Sequence, residues 1–440
     1  MRANLALPAS AALTVLGWSA AVGRPFFFAA TKKPWRQVMN DFDGVTHIED
    51  YYSAETFARI KAFADKRETP FVAIDLPTIA HAYDELIREF DYADVYYAVK
   101  ANPAVDILTL LRDRGANFDI ASRYELDKVM ALGVTAERIS YGNTIKKAKD
   151  VRYFYERGVR LFATDSETDL ESIAREAPGS KVYVRVLTEG TLTADWPLSR
   201  KFGCETEMAM ELLIQARELG LEPYGVSFHV GSQQREIGAW DAALAKVKVI
   251  FDRLRDEQDI VLQMINMGGG FPANYISRTN DLATYAEEIT RFLQEDFGSD
   301  FPRIIIEPGR SLIANAGVMV SEVVLISRKS RTALSRWVFV DVGKFSGLIE
   351  TLDESIKYPV YTEKTGEQEG CVLAGPTCDS ADIMYEHFKY PLPLSLTEGD
   401  RLYWLSTGAY TTSYSAVEFN GFPPLAEYCI GQEALTALGK

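Results

Sequence analysis

A chain of 440 residues is longer than one ordinary hydrophobic core requires, which predicts two domains. Hydrophobic residues make up 47% and charged residues 25%, as in globular enzymes, and the formal net charge of -15 argues against polyanionic partners such as nucleic acid or anionic membranes. The four cysteines, Cys204, Cys371, Cys378 and Cys429, include no CxxC pair, so neither a disulfide framework nor a zinc site is expected, and the reducing cytoplasm is the predicted location.

The first 40 residues differ in composition from the rest of the chain. They contain no acidic residue, and their basic residues are Arg2, Arg24, Lys32, Lys33 and Arg36. Such a segment is typical of a targeting peptide, but a start codon placed upstream of the true first residue, Met39, explains it equally well. Prolines and glycines interrupt its apolar stretch, so a membrane-spanning helix is not predicted.

From about Thr69 onward, short apolar runs alternate with segments of helical periodicity. A strand at 70–76 and a helix at 77–90 precede eight strand-like runs, which end at Lys100, Ala121, Asn143, Asp165, Val186, Val230, Gly268 and Glu307. Amphipathic segments such as 205–219 and 237–255 separate most of these runs. Apolar strands that alternate with helices indicate a parallel sheet, and eight repeats predict a closed (β/α)8 barrel over 73–315. An open doubly wound sheet is the alternative, because counting strands does not establish closure.

The rest of the chain has a different pattern. After Ala316 the apolar runs are VSEVVLISR, RWVFVDVG, CVLAG and RLYWLS, without regular helices between them. This pattern predicts a second, all-β domain over 316–440. The segment 41–72, which precedes the barrel, is expected to pack on that domain.

Most of the predicted barrel strands end in a polar residue or in glycine. The active sites of (β/α)8 enzymes lie at the carboxyl ends of the strands, and a purely structural barrel needs no such ring. The residues are Lys100, Asp119, Asn143, Asp165, Arg185, His229, Gly268, Gly269, Gly270 and Glu307. Each alone has an ordinary explanation, because a strand-end lysine is usually solvated and a buried histidine is usually structural. Together they predict a binding pocket at this end of the barrel.

Two neighbouring strand ends carry the features of a phosphate site. Consecutive glycines let backbone N–H groups approach an anion, and Arg310 in the EPGR motif adds a positive charge. The loops after strands seven and eight are also the frequent phosphate site of this fold. His229 would stack on a flat cofactor ring, and Ser232 would reach its phosphate. Lys100, partly desolvated and with a lowered pKa, would form a Schiff base.

Two further motifs lie in the β-rich half. Cys378 follows a Gly-Pro turn and precedes an aspartate, in GPTCD, and Tyr410 stands in GAYT. Both residues are compatible with packing or with a place in a site, and their sequence surroundings do not decide between the two.

The connection after the fifth barrel strand is unusually long. It spans 187–204 and includes Gly190, Trp196, Arg200 and Lys201. A loop of this length at the mouth of a barrel is expected to act as a lid that excludes water.

As a set, these segments resemble the fold-type III pyridoxal-phosphate decarboxylases, the group of ornithine, diaminopimelate and arginine decarboxylases, and most of all its bacterial ornithine decarboxylases. The resemblance is carried, in family order, by YYAVKANP, FDIAS, SFHVGSQ, GGGFP, EPGR, GPTCDS, GAYTTSY and FNGF. It covers nearly all of the chain after the N-terminal stretch. It implies a barrel with a β-domain, pyridoxal 5'-phosphate as cofactor, and a head-to-tail homodimer whose active sites are shared between subunits.

The resemblance also implies roles for individual residues. Lys100 would bind the cofactor covalently, His229 would stack on its ring, and Glu307 would pair with its pyridine nitrogen. The other residues that would lie at the cofactor are Asp119, Arg185, Ser232, Gly268, Gly269, Gly270, Arg310 and Tyr410. Cys378 and Asp379 would reach the site from the other subunit, where Cys378 would protonate Cα.

One family segment departs from its eukaryotic pattern. The stretch that binds the distal amine of the substrate reads GLIETLDESIKYP here, over 347–359. Its acids suit a distal ammonium group, and either Asp353 or Glu354 is expected to contact that group. Diaminopimelate is disfavoured because its distal carboxylate would need an arginine where Glu350 and these two acids stand. The expected reaction is the decarboxylation of ornithine to putrescine and CO2, a step of polyamine biosynthesis. Lysine or dual lysine/ornithine activity is the alternative, because one methylene is worth only about 1–3 kcal/mol of discrimination.

A hypothesis of another class is a catalytically inactive homologue that binds a partner protein, as antizyme inhibitors do. The joint presence of Lys100, Glu307 and Cys378 speaks against it. Glu307 also favours decarboxylation over racemisation, because a carboxylate promotes the protonated pyridine ring that absorbs electrons. An arginine at this place, as in the related alanine racemases, would weaken that electron sink.

Overall fold

The computed structural model describes residues 45–188, 193–196 and 201–438, so the predicted extension 1–40 lies outside the described residues. After a short 3-10 turn (Ile48–Asp50), helix α1 (Ala54–Ala64) and strand β1 (Phe71–Asp75) are followed directly by helix α2 (Leu76–Glu89). The Asp75 side chain caps α2 by accepting the Thr78 N–H at 3.1 Å. A proline in the first turn adds to this start signal, because proline has no N–H to leave unpaired there.

Eight parallel strands form a closed barrel. They are β2 (Ala93–Ala98), β3 (Asn117–Ile120), β4 (Ile139–Tyr141), β5 (Leu161–Thr164), β6 (Lys181–Arg185), β8 (Glu222–Ser227), β10 (Met264–Asn266) and β11 (Arg303–Ile306). Neighbours in the barrel follow this order, and β11 pairs with β2 to close it. The prediction of a (β/α)8 barrel is therefore confirmed, and the open-sheet alternative is wrong.

Helices cover the outside of the barrel. After α2 they are α3 (Val105–Asp113), α4 (Arg123–Ala131), α5 (Ala148–Glu156), α6 (Glu167–Glu176), α7 (Thr206–Glu218), α8 (Gly238–Gln258) and α9 (Leu282–Phe297). On α2 the buried residues Ile79, Tyr83 and Leu86 recur at intervals of four and three, which is the spacing of one helix face. In the part of the chain that the structure describes, no helix has the length and apolarity to cross a membrane.

The second sheet contains most of the remaining strands. They are β12 (Gly317–Arg328), β13 (Arg336–Val340), β14 (Val360–Tyr361), β15 (Gln368–Ala374), β16 (Ile383–Pro393), β17 (Arg401–Leu405) and β18 (Ala426–Ile430). The order is β14-β17-β12-β13-β15-β16, and β1 pairs with both β12 and β18. Strand β1 thus belongs to this sheet, and the predicted boundary between residues 72 and 73 falls inside it. The short helices α10 (Arg310–Ile313) and α11 (Gln432–Leu438) precede and follow this region.

Helix α1 and the residues around it lie against the second sheet. Tyr52, Ile60 and Ala64 form one buried cluster with sheet residues such as Val318 and Tyr403. The cluster excludes water from one side of the sheet, which explains why a segment before the barrel packs on strands that come after it.

The barrel mouth is tied to the second sheet by hydrogen bonds close to Lys100. The Tyr410 N–H donates to the Ala101 carbonyl at 2.9 Å. The buried Asn102 amide donates to the Gly408 carbonyl at 2.9 Å and to the Glu427 carboxylate at 2.7 Å. The turn that carries Lys100 is therefore held by both parts of the fold.

Candidate active site

Lys100 and Asp119 form the centre of the site. Lys100 lies in the short turn after β2, and its Nζ is 3.7 Å from Oδ2 of Asp119 on the neighbouring strand β3. Desolvation acts to lower the pKa of Lys100, but Asp119, Tyr410 and Glu307 act in the opposite direction and leave the pKa raised. The expectation of a lowered lysine pKa is wrong for this arrangement, because the sequence does not show how many carboxylates converge on the amine.

Glu307 follows strand β11 and faces the same centre. Its Oε1 accepts a hydrogen bond from the Asn266 amide at 2.5 Å. Desolvation, with the charge of Asp119, raises the pKa of Glu307 to about 7, although Lys100, Asn266 and Arg185 act in the opposite direction. Near neutral pH this carboxyl is therefore partly protonated in the cofactor-free protein.

The raised pKa of Glu307 predicts a pH-dependent stability of the cofactor-free protein. The pKa of Glu307 is 4.5 in the unfolded chain and about 7 in the fold. The bound proton therefore stabilises the fold fully below pH 4.5. This contribution is lost as the pH rises through 7, and it amounts to about 3 kcal/mol. Glu307→Gln is neutral at every pH, so we expect its free energy of unfolding to increase relative to wild type between pH 5 and pH 8, by up to that amount.

Urea denaturation at several pH values measures this difference. Glu288→Gln on the surface of α9 is the control and should show no such change. A difference between Glu307→Gln and wild type that stays constant from pH 5 to pH 8 would contradict the raised pKa.

His229 follows strand β8 and has a defined protonation state. Its Nδ1 accepts the Gly231 N–H at 3.0 Å, so the ring hydrogen is on Nε2. Burial, together with the positive charges of Arg185 and Lys100, lowers the pKa of His229 well below its ordinary value. The imidazole is therefore a neutral flat ring at physiological pH, which suits it to stacking.

The three glycines after β10 leave no room for side chains. A Cβ at Gly268 would lie 2.3 Å from the Phe228 carbonyl oxygen, and one at Gly270, where φ is +102°, would lie 2.6 Å from the Gly231 carbonyl oxygen. At Gly269 it would lie 2.7 Å from the Glu307 carbonyl oxygen and 3.3 Å from Nε2 of His229. The close approach of backbone segments requires glycine here, and it places a glycine-only cradle beside the histidine ring.

Arg310 lies beside this cradle, at the start of α10. It is 3% exposed, and its Nε and Nη2 donate to the Ser232 hydroxyl at 3.2 and 3.1 Å. Its guanidinium carbon is 4.9 Å from the centre of the Tyr410 ring. The structure thus brings together Ser232, Arg310 and Tyr410, three of the residues predicted to contact phosphate.

The chain as a whole is similar to known enzymes. A family model described as the pyridoxal binding domain of pyridoxal-dependent decarboxylases matches residues 76–314. The chain belongs to the pyridoxal-dependent decarboxylases. It is 32% identical over 364 residues to a lysine/ornithine decarboxylase of Selenomonas ruminantium, with 82% of this chain and 90% of that protein covered. It is 29% identical over 385 residues to the ornithine decarboxylase of Saccharomyces cerevisiae, covering 82% and 80%.

The decarboxylase is also similar in structure to a lysine/ornithine decarboxylase from Vibrio vulnificus that was crystallised with putrescine. The TM-score is 0.77 at 28% identity, and the match covers 86% of this chain and 99% of that one.

The cofactor of the decarboxylase is pyridoxal 5'-phosphate, and the residues at the barrel mouth fit it. A lysine amine, a neutral imidazole, a glycine cradle and a buried guanidinium are the groups that an aldehyde, an aromatic ring and a phosphate require. Oδ1 of Asp119 is buried and has no hydrogen-bond partner among the described residues. An unpaired buried carboxylate oxygen is costly, so this atom indicates a polar ligand.

The predicted substrate-binding acids have different surroundings. The carboxylate of Glu354 accepts the N–H groups of Glu386, His387 and Phe388 at 2.7, 2.6 and 2.9 Å. Burial alone would raise the pKa of Glu354, but these three bonds lower it. Glu354 therefore stabilises its own chain and is not available to a substrate, which corrects one of the two candidates. Asp353 is exposed.

Cys378 and Asp379 lie on the surface of the β-domain. The Cys378 N–H donates to Asn420 at 2.9 Å, and Asp379 accepts the Ala381 N–H at 2.8 Å. Among the described residues, no recorded hydrogen bond or ion pair joins either of them to the Lys100 cluster. Both are exposed, so within one chain they are free to meet a second molecule.

The predicted lid is described only in part. Residues 193–196 contain strand β7 (Ala194–Trp196), which pairs with β9 (Ser232–Gln234), so that Trp196 lies opposite Ser232. Residues 189–192 and 197–200 of the predicted lid lie outside the described residues.

Several residues of the site were not predicted. Asn266 binds Glu307, and the Tyr275 hydroxyl accepts from Arg310 at 2.8 Å. Asn266 could have been found, since it precedes the glycine run by two residues at the end of an apolar strand. Tyr275 gives no comparable signal, because it lies in a loop whose path is set by tertiary contacts.

Proposed function

We propose that this decarboxylase converts L-ornithine to putrescine and CO2. The proposal is supported by the names of similar proteins, which include ornithine and lysine/ornithine decarboxylases. It is also supported by a net charge of -15, which draws a dibasic amino acid toward the protein.

Each central residue has a proposed task. Bound pyridoxal phosphate supplies the electron sink that decarboxylation needs. Lys100 would anchor it, and His229 would pack on its ring as a neutral imidazole. Glu307, as a carboxylate, would hold a proton on the pyridine nitrogen, which strengthens the sink. Cys378 of the partner subunit would donate a proton to Cα after CO2 has left, which gives the product diamine.

The observation that carries the choice of a basic substrate is the position of Asp353. Its turn, Ile349–Glu354, is held at one end by Glu350, which binds Arg310, and at the other by Glu354, which binds three backbone N–H groups. The turn therefore reaches the phosphate side of the barrel mouth. Asp353 lies in this turn with a φ of +53°. Unlike Glu350 and Glu354, its carboxylate makes no hydrogen bond to the described residues. We assign it to the distal ammonium of the substrate.

Assays of the purified protein with ornithine, lysine, arginine and diaminopimelate test the proposal. We expect CO2 release with ornithine at the highest kcat/KM. Faster CO2 release with lysine would make lysine the preferred substrate, and the proposed type of reaction would stay the same. Release from none of the four would support a binding protein without activity and would overturn the proposal.

The assignment of Asp353 gives a separate prediction. Asp353→Asn should raise the KM for ornithine about 10- to 100-fold, because the ammonium loses its charged hydrogen-bond partner. The kcat should change less. Steady-state kinetics measure both constants, and Asp256→Asn on the surface of α8 is the matched control. A normal KM in Asp353→Asn would place the distal amine elsewhere.

A homodimer with shared active sites is part of the proposal. Cys378 stands in a loop held by the buried Asp382, whose carboxylate accepts from the Thr377 N–H and hydroxyl at 3.1 and 2.7 Å and from the Lys344 N–H at 2.8 Å. A rigid, exposed loop that carries a thiol is suited to entering the site of another subunit.

A further inference from the structure

Arg310 is paired with Glu350 by two hydrogen bonds. Nη1 of Arg310 donates to Oε2 of Glu350 at 2.7 Å, and Nη2 donates to Oε1 at 2.6 Å. The two side chains are 3% and 2% exposed, so this is a fully buried bidentate ion pair. It joins helix α10 of the barrel to the turn Ile349–Glu354 of the β-domain.

The remaining N–H groups of Arg310 are also occupied. Nη1 donates to the Tyr275 hydroxyl at 2.8 Å, and Nε and Nη2 both donate to the Ser232 hydroxyl. A guanidinium has five N–H groups, and all five therefore have an acceptor in the chain itself. The edge that faces Ser232, itself a predicted phosphate ligand, is the one opposite Tyr275.

The charge of the pair matters more than its hydrogen bonds. Arginine stays protonated in proteins, so without Glu350 the empty site would hold an unpaired buried cation. Such a site would attract any small anion, because the attraction between buried charges is weakly screened. With Glu350 the two charges cancel, and an incoming anion meets a nearly neutral surface.

We propose that Glu350 is a specificity-determining residue, which neutralises Arg310 in the cofactor-free protein and keeps free inorganic anions out of the phosphate site. The inference rests on the proposed assignment of Ser232 and Arg310 to the cofactor phosphate. Pyridoxal phosphate overcomes the weak anion affinity because Lys100 holds it covalently at its other end. Inorganic phosphate has no second anchor, so it does not compete with the cofactor.

Titration of the full-length, cofactor-free protein with inorganic phosphate tests this role. At constant ionic strength set with chloride, phosphate should raise the melting temperature of wild type only weakly. Glu350→Gln should melt at a lower temperature than wild type without phosphate. Its Kd for phosphate should be lower than that of wild type by about tenfold or more. A residue that only supports the fold would lower the melting temperature without a gain in phosphate binding.

Two controls locate the effect. Glu369→Gln removes a carboxylate at the protein surface whose two oxygens both accept from Nη2 of Arg328, and it should bind phosphate as wild type does. The double variant Ser232→Ala/Glu350→Gln should lose most of the gained affinity. Persistence of the gain in the double variant would show that the anion binds elsewhere, and it would overturn the proposal.

Other outcomes are equally decisive. Phosphate binding in Glu350→Gln that is no tighter than in wild type overturns the proposal. A Glu350→Gln chain that does not fold in chloride should fold in phosphate or with pyridoxal phosphate, and a failure of both would also overturn it. Ornithine turnover by wild type is measured separately, so a wrong substrate assignment cannot be mistaken for a wrong role of Glu350.

Discussion

Lys100→Ala and Cys378→Ala are each expected to reduce ornithine decarboxylation about 1000-fold or more, because one removes the proposed covalent anchor and the other removes the proposed proton donor. When the two variants are mixed and exchange subunits, half of the dimers are mixed. In each mixed dimer one site carries both changes and the other carries neither. Activity should therefore return to about one quarter of the wild-type value.

The recovery depends on where Cys378 acts. In the single chain Cys378 is exposed in a β-domain loop, and its recorded backbone bond goes to Asn420. A barrel mouth closed by the partner subunit would exclude water from the cofactor. The measurement is CO2 release, with subunit exchange verified by mass spectrometry. A mixture that exchanges subunits and stays inactive would place Lys100 and Cys378 in the same site of one chain.

Cys204→Ala is the matched control for the cysteine change. Cys204 is a buried free cysteine whose thiol donates to the Arg185 carbonyl at 3.5 Å. The Cys204→Ala substitution is expected to lower stability more than turnover, since removing a buried side chain mainly costs packing.

Glu307→Gln is expected to lower kcat about 100-fold or more while the cofactor remains bound. The amide keeps the shape of Glu307 and can still accept from Asn266, but it cannot hold a proton on the pyridine nitrogen by charge. Lys100, His229 and the glycine cradle are unchanged, so cofactor binding should persist. Steady-state kinetics with ornithine give kcat, and the absorbance of bound cofactor gives its content.

Two results would contradict this assignment. A kcat within about threefold of wild type would show that the charge of Glu307 is not needed. A complete loss of bound cofactor would show that Glu307 is mainly a binding residue. Glu288→Gln, on the outer surface of α9, is the control for a change of glutamate to glutamine away from the site.

Much of the fold follows from local sequence patterns. The eight barrel strands are short apolar runs between amphipathic helices, and the burial of β3 and β5 matches those runs. The ends of these strands predicted Lys100, Asp119 and Glu307 as neighbours, and the barrel brings them together. The reason is geometric, because parallel strands in a closed barrel all point their carboxyl ends to one mouth. The glycine run was likewise visible, since no other residue tolerates such close backbone approach.

The tertiary structure alone decided which partner each charged residue has. Glu350 and Glu354 are four residues apart in one acidic run, yet one binds the Arg310 side chain and the other binds the backbone of β16. Contacts between distant elements also decide the sign of a pKa shift: the Lys100 side chain is half exposed in the single chain, and Asp119, Tyr410 and Glu307 from different elements raise its pKa. The place of β1 beside β12 and β18 is also a tertiary result. Periodicity and turn signals arise within a few neighbouring residues, whereas these pairings join residues that are far apart in the chain, and only the packing of the folded domains brings them into contact.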